Sequence, residues 1–489
     1  MSVGRAEGGT ACADPGGAFE QVSAVADAVL YEGYLLYPYR RSSAKNRVRW
    51  QFGVLFPRAW AEADGPVAPG VSGSADSWYQ RTECLLRIRR PGAAVRVRLR
   101  CLQMQRKQVE EAGPDGAFRP VESLRTDDGT AHLTFDEAVP REFDAVVALE
   151  DLLRGEHTVP VSAPAGEDVE PLPGGAGRVV RRREEVRAGV TVAAEQLAAD
   201  LCRLRVRTTN TGPAPDPGTS RDEALRRALI ATHTLVGGDG AEFVSLTDPP
   251  ADLKAHAGAC RNEFTFPVLG GEPREPGDPA EPDAAHVLLS SPIILPDHPQ
   301  VAPESPGDLH DAAEIDEILT LRTMLLTDEE KQEARATDPR AAAILDRVET
   351  MPQEVFERLH GAVRSLAPVS SARPVTPAPV DRPAWWQEGA DDGLSPSTDT
   401  VLVDGVPLGG GSRVRLRPRG RGADAQDMFL AGRTAEVAAV FHDVDGSVHL
   451  AVTLDDDPAA ELHSWYGRFH YFRPDELEPL DPPQRRPMT

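Results

Sequence analysis

Cys84-Leu85-Leu86-Arg87-Ile88-Arg89, Arg90-Pro91-Gly92, Val95-Arg96-Val97-Arg98-Leu99-Arg100-Cys101-Leu102 is the stretch on which the fold turns. Two runs alternate apolar and basic residues, and a Pro-Gly turn joins them. A period of two puts every apolar side chain on one face of a strand and every arginine on the other. A helix would scatter the same residues around its circumference. The pattern therefore predicts an antiparallel pair with one dry face. Cys202-Arg203-Leu204-Arg205-Val206-Arg207 repeats it, and Val48 to Phe56 is rich in strand formers. Several short strands with turn chemistry between them predict a sandwich. The arginine stripes read as its wet face or as a face that meets a partner.

Working outward, the chain is 489 residues long, which predicts two to four domains. Ser220 with Glu223 makes a capping-box pattern, and Leu225, Leu229, Thr232 and Val236 follow at helical spacing, so a helix is expected up to Gly237-Gly238. Five prolines between Pro292 and Pro306 exclude helix and central strand and predict a stiff extended path. From 308 to 365 the sequence turns helical, with Ile315, Ile318, Leu319, Arg322, Leu325 and Leu326 at the 3.6 period. Thr327 with Glu330 caps a second helix, Asp338-Pro339 starts a third and Pro352 a fourth. The fold class is thus α+β and multidomain. An N-terminal antiparallel β-sandwich-like domain is expected over 20–210. A mixed central α/β region with the Pro-rich segment and short helices that form a compact helical appendage follows over 220–365, then a flexible linker over 366–400. An SH3-like β barrel is expected over 401–482, similar in its opening and closing residues to the small barrel of nitrile hydratase β subunits.

Fifty-three basic against 77 acidic residues leave a net charge of −24, which argues against a general nucleic-acid binder. The imbalance is local: residues 1–100 carry 14 basic and 9 acidic residues, residues 251–360 carry 9 and 23. Two solvated faces, or an acidic segment that docks a basic surface, both fit. No apolar run reaches the ~20 residues of a membrane helix, no secretory signal opens the sequence, and five widely spaced cysteines suit a reducing cytoplasm. A cytoplasmic location without membrane insertion is expected.

The familiar catalytic signatures (phosphate loop, zinc-protease helix, nucleophile elbow, dinucleotide fingerprint) are absent from the sequence. Two sets of residues carry metal-ligand chemistry. His233 and Cys260 can bind zinc or nickel, or act as base and nucleophile. Alternatively they are a core histidine and a buried small hydrophobe. Asp297, His298, Glu304 and Asp308 are spaced along the Pro-rich path, where they are either ligands for nickel or a hard cation, or helix caps and backbone acceptors. Cofactor expectations are therefore none, or nickel or zinc. Tyr31, Tyr34, Tyr37, Tyr39 and Arg40 have the composition of an interface hot spot, with strand core as the alternative. Trp385-Trp386 sits in the linker, where tandem indoles are costly to leave in water, and a docking role is expected.

Four runs taken together carry a resemblance: Tyr31-Glu32-Gly33-Tyr34-Leu35-Leu36-Tyr37-Pro38-Tyr39-Arg40 with Lys45-Asn46-Arg47; Ser290-Ser291-Pro292-Ile293-Ile294-Leu295; Ala302-Pro303-Glu304-Ser305-Pro306-Gly307-Asp308; and Glu314-Ile315-Asp316-Glu317-Ile318-Leu319. The chain resembles a family of uncharacterised bacterial proteins encoded beside high-affinity, actinobacterial-type [NiFe]-hydrogenase genes. The resemblance implies an accessory role in hydrogenase maturation or assembly, with a hydrogenase subunit or a maturation protein as the partner. It carries no catalytic residues. A nickel- or zinc-handling protein, or an enzyme using the Cys/His pair, stand as alternatives.

Overall fold

The computed structural model describes residues 19–43, 46, 49–67, 76–271, 286–301, 307, 309–311, 316–351, 399–418, 430–442, 448–455 and 469–480. The chain divides into two compact units, residues 1–360 and 361–489.

In the first unit the chain opens with helices α1 (Glu20–Tyr31) and α2 (Arg58–Ala61), then strands β1 (Tyr79–Ile88) and β2 (Ala94–Ala112). Next come β3 (Phe118–Val121), β4 (Ser123–Arg125), β5 (Ala131–Leu133), β6 (Phe135–Ala148) and α3 (Leu149–Arg154). Strands β7 (His157–Ala163), β8 (Gly166–Pro171), β9 (Gly177–Arg183), β10 (Val186–Gln196) and β11 (Leu201–Asn210) follow. The unit is completed by α4 (Arg221–Ala224), β12 (Ile230–Asp239), β13 (Ala241–Val244), α5 (Lys254–Gly258), β14 (Phe266–Gly270), β15 (His286–Ser291), α6 (Asp316–Met324), α7 (Asp328–Thr337) and α8 (Pro339–Glu349).

The architecture is mostly antiparallel β with a minority of helix. One sheet has the order β13-β1-β11-β10-β7; the other has β14-β15-β12-β2-β9-β8, with β3 and β6 also on β2. The alternating runs are β1, β2 and β11. Their apolar faces meet in one core, where Cys84, Leu86, Val95, Val97, Leu99, Cys202, Leu204 and Val206 are all buried. The arginines of β1 and β11 point away from that core toward acidic neighbours, as in Arg205–Glu83 and Arg203–Glu195. The stripe on β2 is not bare. Arg98 is forked onto Asp144 of β6, and Arg100 reaches Asp27 of α1 and Glu142 of β6.

Three expectations are corrected. The boundary near 208–221 is crossed by strand pairing: β12 pairs with β2 and β13 with β1, so residues beyond 220 complete the same sandwich. The helix expected over 220–236 lasts one turn. Ser220 does accept from the Glu223 amide, but the chain then passes through a 3-10 turn into β12. Thr232 and Val236 satisfy a period of two as well as 3.6, Thr234 fits only the period of two, and β-branched residues favour the strand. Gly237-Gly238 continues the strand, because a Cβ on Gly238 would stand 2.8 Å from the Ala241 carbonyl oxygen. Of Val48–Phe56, the described residues 49–56 form no strand. Trp50 and Gly53 are left-handed (φ 60° and 58°), and Leu55 makes only isolated bridges.

Helices α7 and α8 start where the sequence predicts, whereas α6 begins at Asp316 and not at the expected 308. The Thr327/Glu330 capping box is formed in both directions, and Asp338 caps α8 with Pro339 in its first turn. They are no appendage, however. Leu319, Leu326, Ala334, Ile344, Leu345 and Val348 share one core with Tyr31, Tyr34, Leu35, Tyr39, Phe56 and Trp60. The helix expected from Pro352 and the linker over 366–400, up to its last two residues, lie outside the described residues.

The second unit contains the hairpin β16 (Val401–Val403) and β17 (Val406–Leu408). It also holds a five-stranded antiparallel sheet of β18 (Arg413–Leu416), β19 (Thr434–His442), β20 (Val448–Leu454), β21 (His470–Phe472) and β22 (Leu477–Pro479). The order is β21-β20-β19-β18-β22, and its two edge strands do not pair with each other. Val414, Leu416, Val437, Leu450, Val452 and Phe472 fill its core. Among the described residues no helix is long and apolar enough to cross a membrane.

Candidate functional site

Two of the resemblance-bearing runs meet at one place in the first unit, a cleft of about 1130 Å³. Helix α1 supplies one wall with Ala24, Asp27, Ala28 and Tyr31. Strands β2 and β6 supply the floor with Arg100, Pro140 and Glu142. The proline-rich path supplies Leu295, Pro296, Pro299 and Val301, and the 309–311 segment and α8 close the far side with His310, Asp311, Arg340 and Arg347.

Each element is there for a local reason. Pro296 and Pro299 have no amide to give a sheet ladder, so the 295–301 segment runs outside the sheet, and Asp297 ties it down. Its carboxylate accepts from the Ser245 and Thr247 hydroxyls and the Leu269 amide. Burial pushes that carboxyl upward, but the three donors outweigh it and hold it below the usual carboxylate range. His298 adopts a left-handed backbone (φ 54°), and its Nδ1 lies 3.1 Å from the Gly271 carbonyl oxygen. Asp297 and His298 are thus occupied as ties between segments.

Most of the tyrosine run is internal, which corrects the expected interface at Tyr34 and Tyr39, while Tyr31 also lines the cleft. Tyr31, Tyr34 and Tyr39 are buried. The Tyr34 hydroxyl donates to Asp338 (2.9 Å) and lies 3.3 Å from the Ala138 amide, so one oxygen joins α8 to β6. The Tyr39 hydroxyl donates to the Leu309 carbonyl, the Tyr37 amide to Asp311, and Arg40 pairs with Glu330. These residues attach the three helices to the sandwich. A Tyr34→Phe variant removes the buried donor to Asp338 and is expected to lose about 1.5–3 kcal/mol. Denaturant unfolding reads the loss, and an unchanged midpoint would contradict the assigned role.

Where the run reaches the cleft it carries unusual electrostatics. The Arg340 guanidinium lies 3.4 Å above the Tyr31 ring and 5.9 Å from that of Tyr34. Burial raises the Tyr31 hydroxyl pKa, partly countered by Arg340. His310, also left-handed (φ 59°), faces both tyrosine rings at 5.8 and 6.4 Å.

The metal-ligand candidates among the described residues do not assemble. His233 lies on β12, fully buried, with Nδ1 2.8 Å from the Ala231 carbonyl oxygen and with Arg100 and Asp27 as its charged neighbours. Cys260 packs against the separate cluster of Leu85, Leu201, Val244, Leu253 and Ala257, and its thiol points to the His256 carbonyl. Burial raises the Cys260 pKa, the wrong direction for a nucleophile. Among the described residues, no three His, Cys, Asp or Glu side chains gather as a metal site. Glu304, Asp308, Trp385 and Trp386 lie outside the described residues.

Sequence reasoning missed the cleft and Arg340. One signal was available. Asp338-Pro339-Arg340 puts a cation in the first turn of a helix, against the macrodipole, and such a placement calls for a compensating partner. That the partner is the Tyr31 ring, more than 300 positions away, is settled only by tertiary structure.

No family model matches the chain, and no curated protein matches it. Among solved structures, it was aligned with the open-gate secretin InvG of the Salmonella SPI-1 type III secretion injectisome at 10% identity and a TM-score of 0.12. The alignment covers 43% of this chain and 59% of that one, so the chain spans about three-fifths of its length. A likeness of that size carries no argument.

Proposed function

We propose that this chain is an accessory protein of [NiFe]-hydrogenase maturation or assembly that acts in the cytoplasm by binding a protein partner. The observation that carries the reading is the cleft. Tyr31 and Glu32 from the first resemblance-bearing run and Leu295 from the second line it, with His310 and Asp311 from the chain between the third and fourth. Residues distant in sequence that meet at one open groove suit recognition of another molecule. The charged groups there are either paired or open to a partner: Arg100 is neutralised by Asp27 and Glu142, while Arg340 lies over the Tyr31 ring. That arrangement favours a binding surface over a centre that moves protons or electrons. In this reading the C-terminal sheet, whose strand order suits an SH3-like barrel, is a second small binding module.

Affinity purification of the tagged full chain from its native host, with the eluate probed for hydrogenase subunits and maturation proteins, tests the proposal. Co-purification of one of them in near-stoichiometric amount is the expected result. An eluate lacking all of them at native expression levels would overturn it.

A further inference from the structure

We infer that the cleft beside α1 holds the partner by an extended, largely apolar peptide segment bearing one acidic side chain, whose carboxylate lands on Arg340; this rests on the partner-binding reading above.

Arg340 carries the inference. Among the described residues no carboxylate pairs with it, although four acidic residues line the same cleft. Asp27 and Glu142 are committed to Arg100, Asp311 accepts the Tyr37 amide, and Glu32 has an interaction of its own. A guanidinium in the first turn of α8 opposes the helix dipole, and Tyr31 compensates by offering a ring face at 3.4 Å. The ring lies against the cation, and one guanidinium donor is also engaged by the Tyr31 hydroxyl, which leaves the others. The five N–H donors lie in its plane, along the edge, where a carboxylate is taken by two parallel hydrogen bonds. The cation is thus held in place and left without its usual counter-ion.

The rest of the cleft selects the body of the ligand. Leu295, Pro296, Pro299 and Val301 form an apolar side, and Val301 together with the adjoining Ile294 is 46% and 71% exposed. At about 1130 Å³ the space exceeds the roughly 300–1,000 Å³ of small-molecule pockets. It runs beside more than one turn of α1, from Ala24 to Tyr31, as a groove for a passing segment does.

The test uses the immobilised full chain and two pools of acetylated, amidated nonapeptides, randomised except for a central Glu in one pool and a central Gln in the other. Wild-type protein is expected to retain the Glu pool about tenfold better, as a charge-assisted pair predicts. Arg340→Gln should erase the preference and Arg340→Lys keep part of it. Equal retention of the two pools by wild-type protein overturns the inference, and so does a preference that survives in a folded Arg340→Gln variant. Better retention of a third pool, with a free C-terminal carboxylate and no acidic side chain, also overturns it. Were Arg340→Gln not to fold, the wild-type comparison and Arg340→Lys still decide. Hydrogenase recovered from the host with no Glu preference removes this inference and spares the partner reading. A Glu preference without hydrogenase does the reverse.

Discussion

An Asp76→Ala variant is expected to lose about 3–5 kcal/mol of folding stability. Asp76 and Arg221 form a forked pair with both hydrogen bonds at 3.0 Å, and each side chain is only 4% exposed. Arg221 donates a further bond to the Trp50 carbonyl and lies 5.5 Å from the Phe56 ring, so its charge sits inside the core that joins the sandwich to the helices. Deleting the carboxylate leaves a guanidinium buried without a counter-charge. Water cannot reach it without opening that core, and the cost approaches the whole of a marginal domain's stability, about 5–15 kcal/mol. The pair itself stabilises far less than its rupture costs, because both ions were desolvated to form it. The double variant Asp76→Leu/Arg221→Met should therefore recover most of the loss. Equilibrium unfolding of the wild type, both single variants and the double variant gives the coupling energy directly. Additive losses would mean that the two charges do not depend on each other.

Neither Asp76 nor Arg221 stands out in the sequence, and the reason is general to this chain. Much of what neighbours a few positions away set was legible, although α1 (Glu20–Tyr31) lies in a region read as β. The alternation of β1, β2 and β11, the caps at Ser220, Thr327 and Asp338, and the strands of the C-terminal sheet all follow from local spacing and turn chemistry. What depends on distant partners was not. Thr232 and Val236 fit two periods at once, and pairing with β2 and β15 decides between them. Tyr31 to Arg40 has interface composition, but its hydroxyls are consumed by Asp338 and Leu309, some 270 to 300 residues later. His233 and Cys260 share a chemistry only while their positions are unknown. The described part of the proline-rich path, 292–301, stays out of helix and strand as its prolines require, while its role as one side of a cleft needed α1 and α8 beside it.

His233 gives the second large effect, as a dependence of stability on pH. Its imidazole is fully buried on β12, and its Nε2 has no hydrogen-bond partner. Burial is the largest influence and drives the pKa down to about 4. The Ala231 carbonyl and Asp27, on α1, pull upward, and Arg100, on β2, pushes further down. In the unfolded chain the same group takes up its proton near 6.5. Between those values the unfolded chain holds the extra proton, so acidification favours unfolding. The contribution is fully present above about pH 6.5, is lost progressively as the pH falls toward 4, and changes no further below. The shift corresponds to about 3 kcal/mol. Other groups titrate in the same window, so the decisive quantity is a difference. The stability of the wild type minus that of His233→Leu, measured by denaturant unfolding, should be constant above pH 7 and fall by about 3 kcal/mol by pH 4. A difference that stays level across that range would mean that the imidazole accepts its proton in the folded chain as readily as in water. His233 would then have access to solvent or to an acidic partner, and its place in the dry interior between β12 and α1 would be wrong.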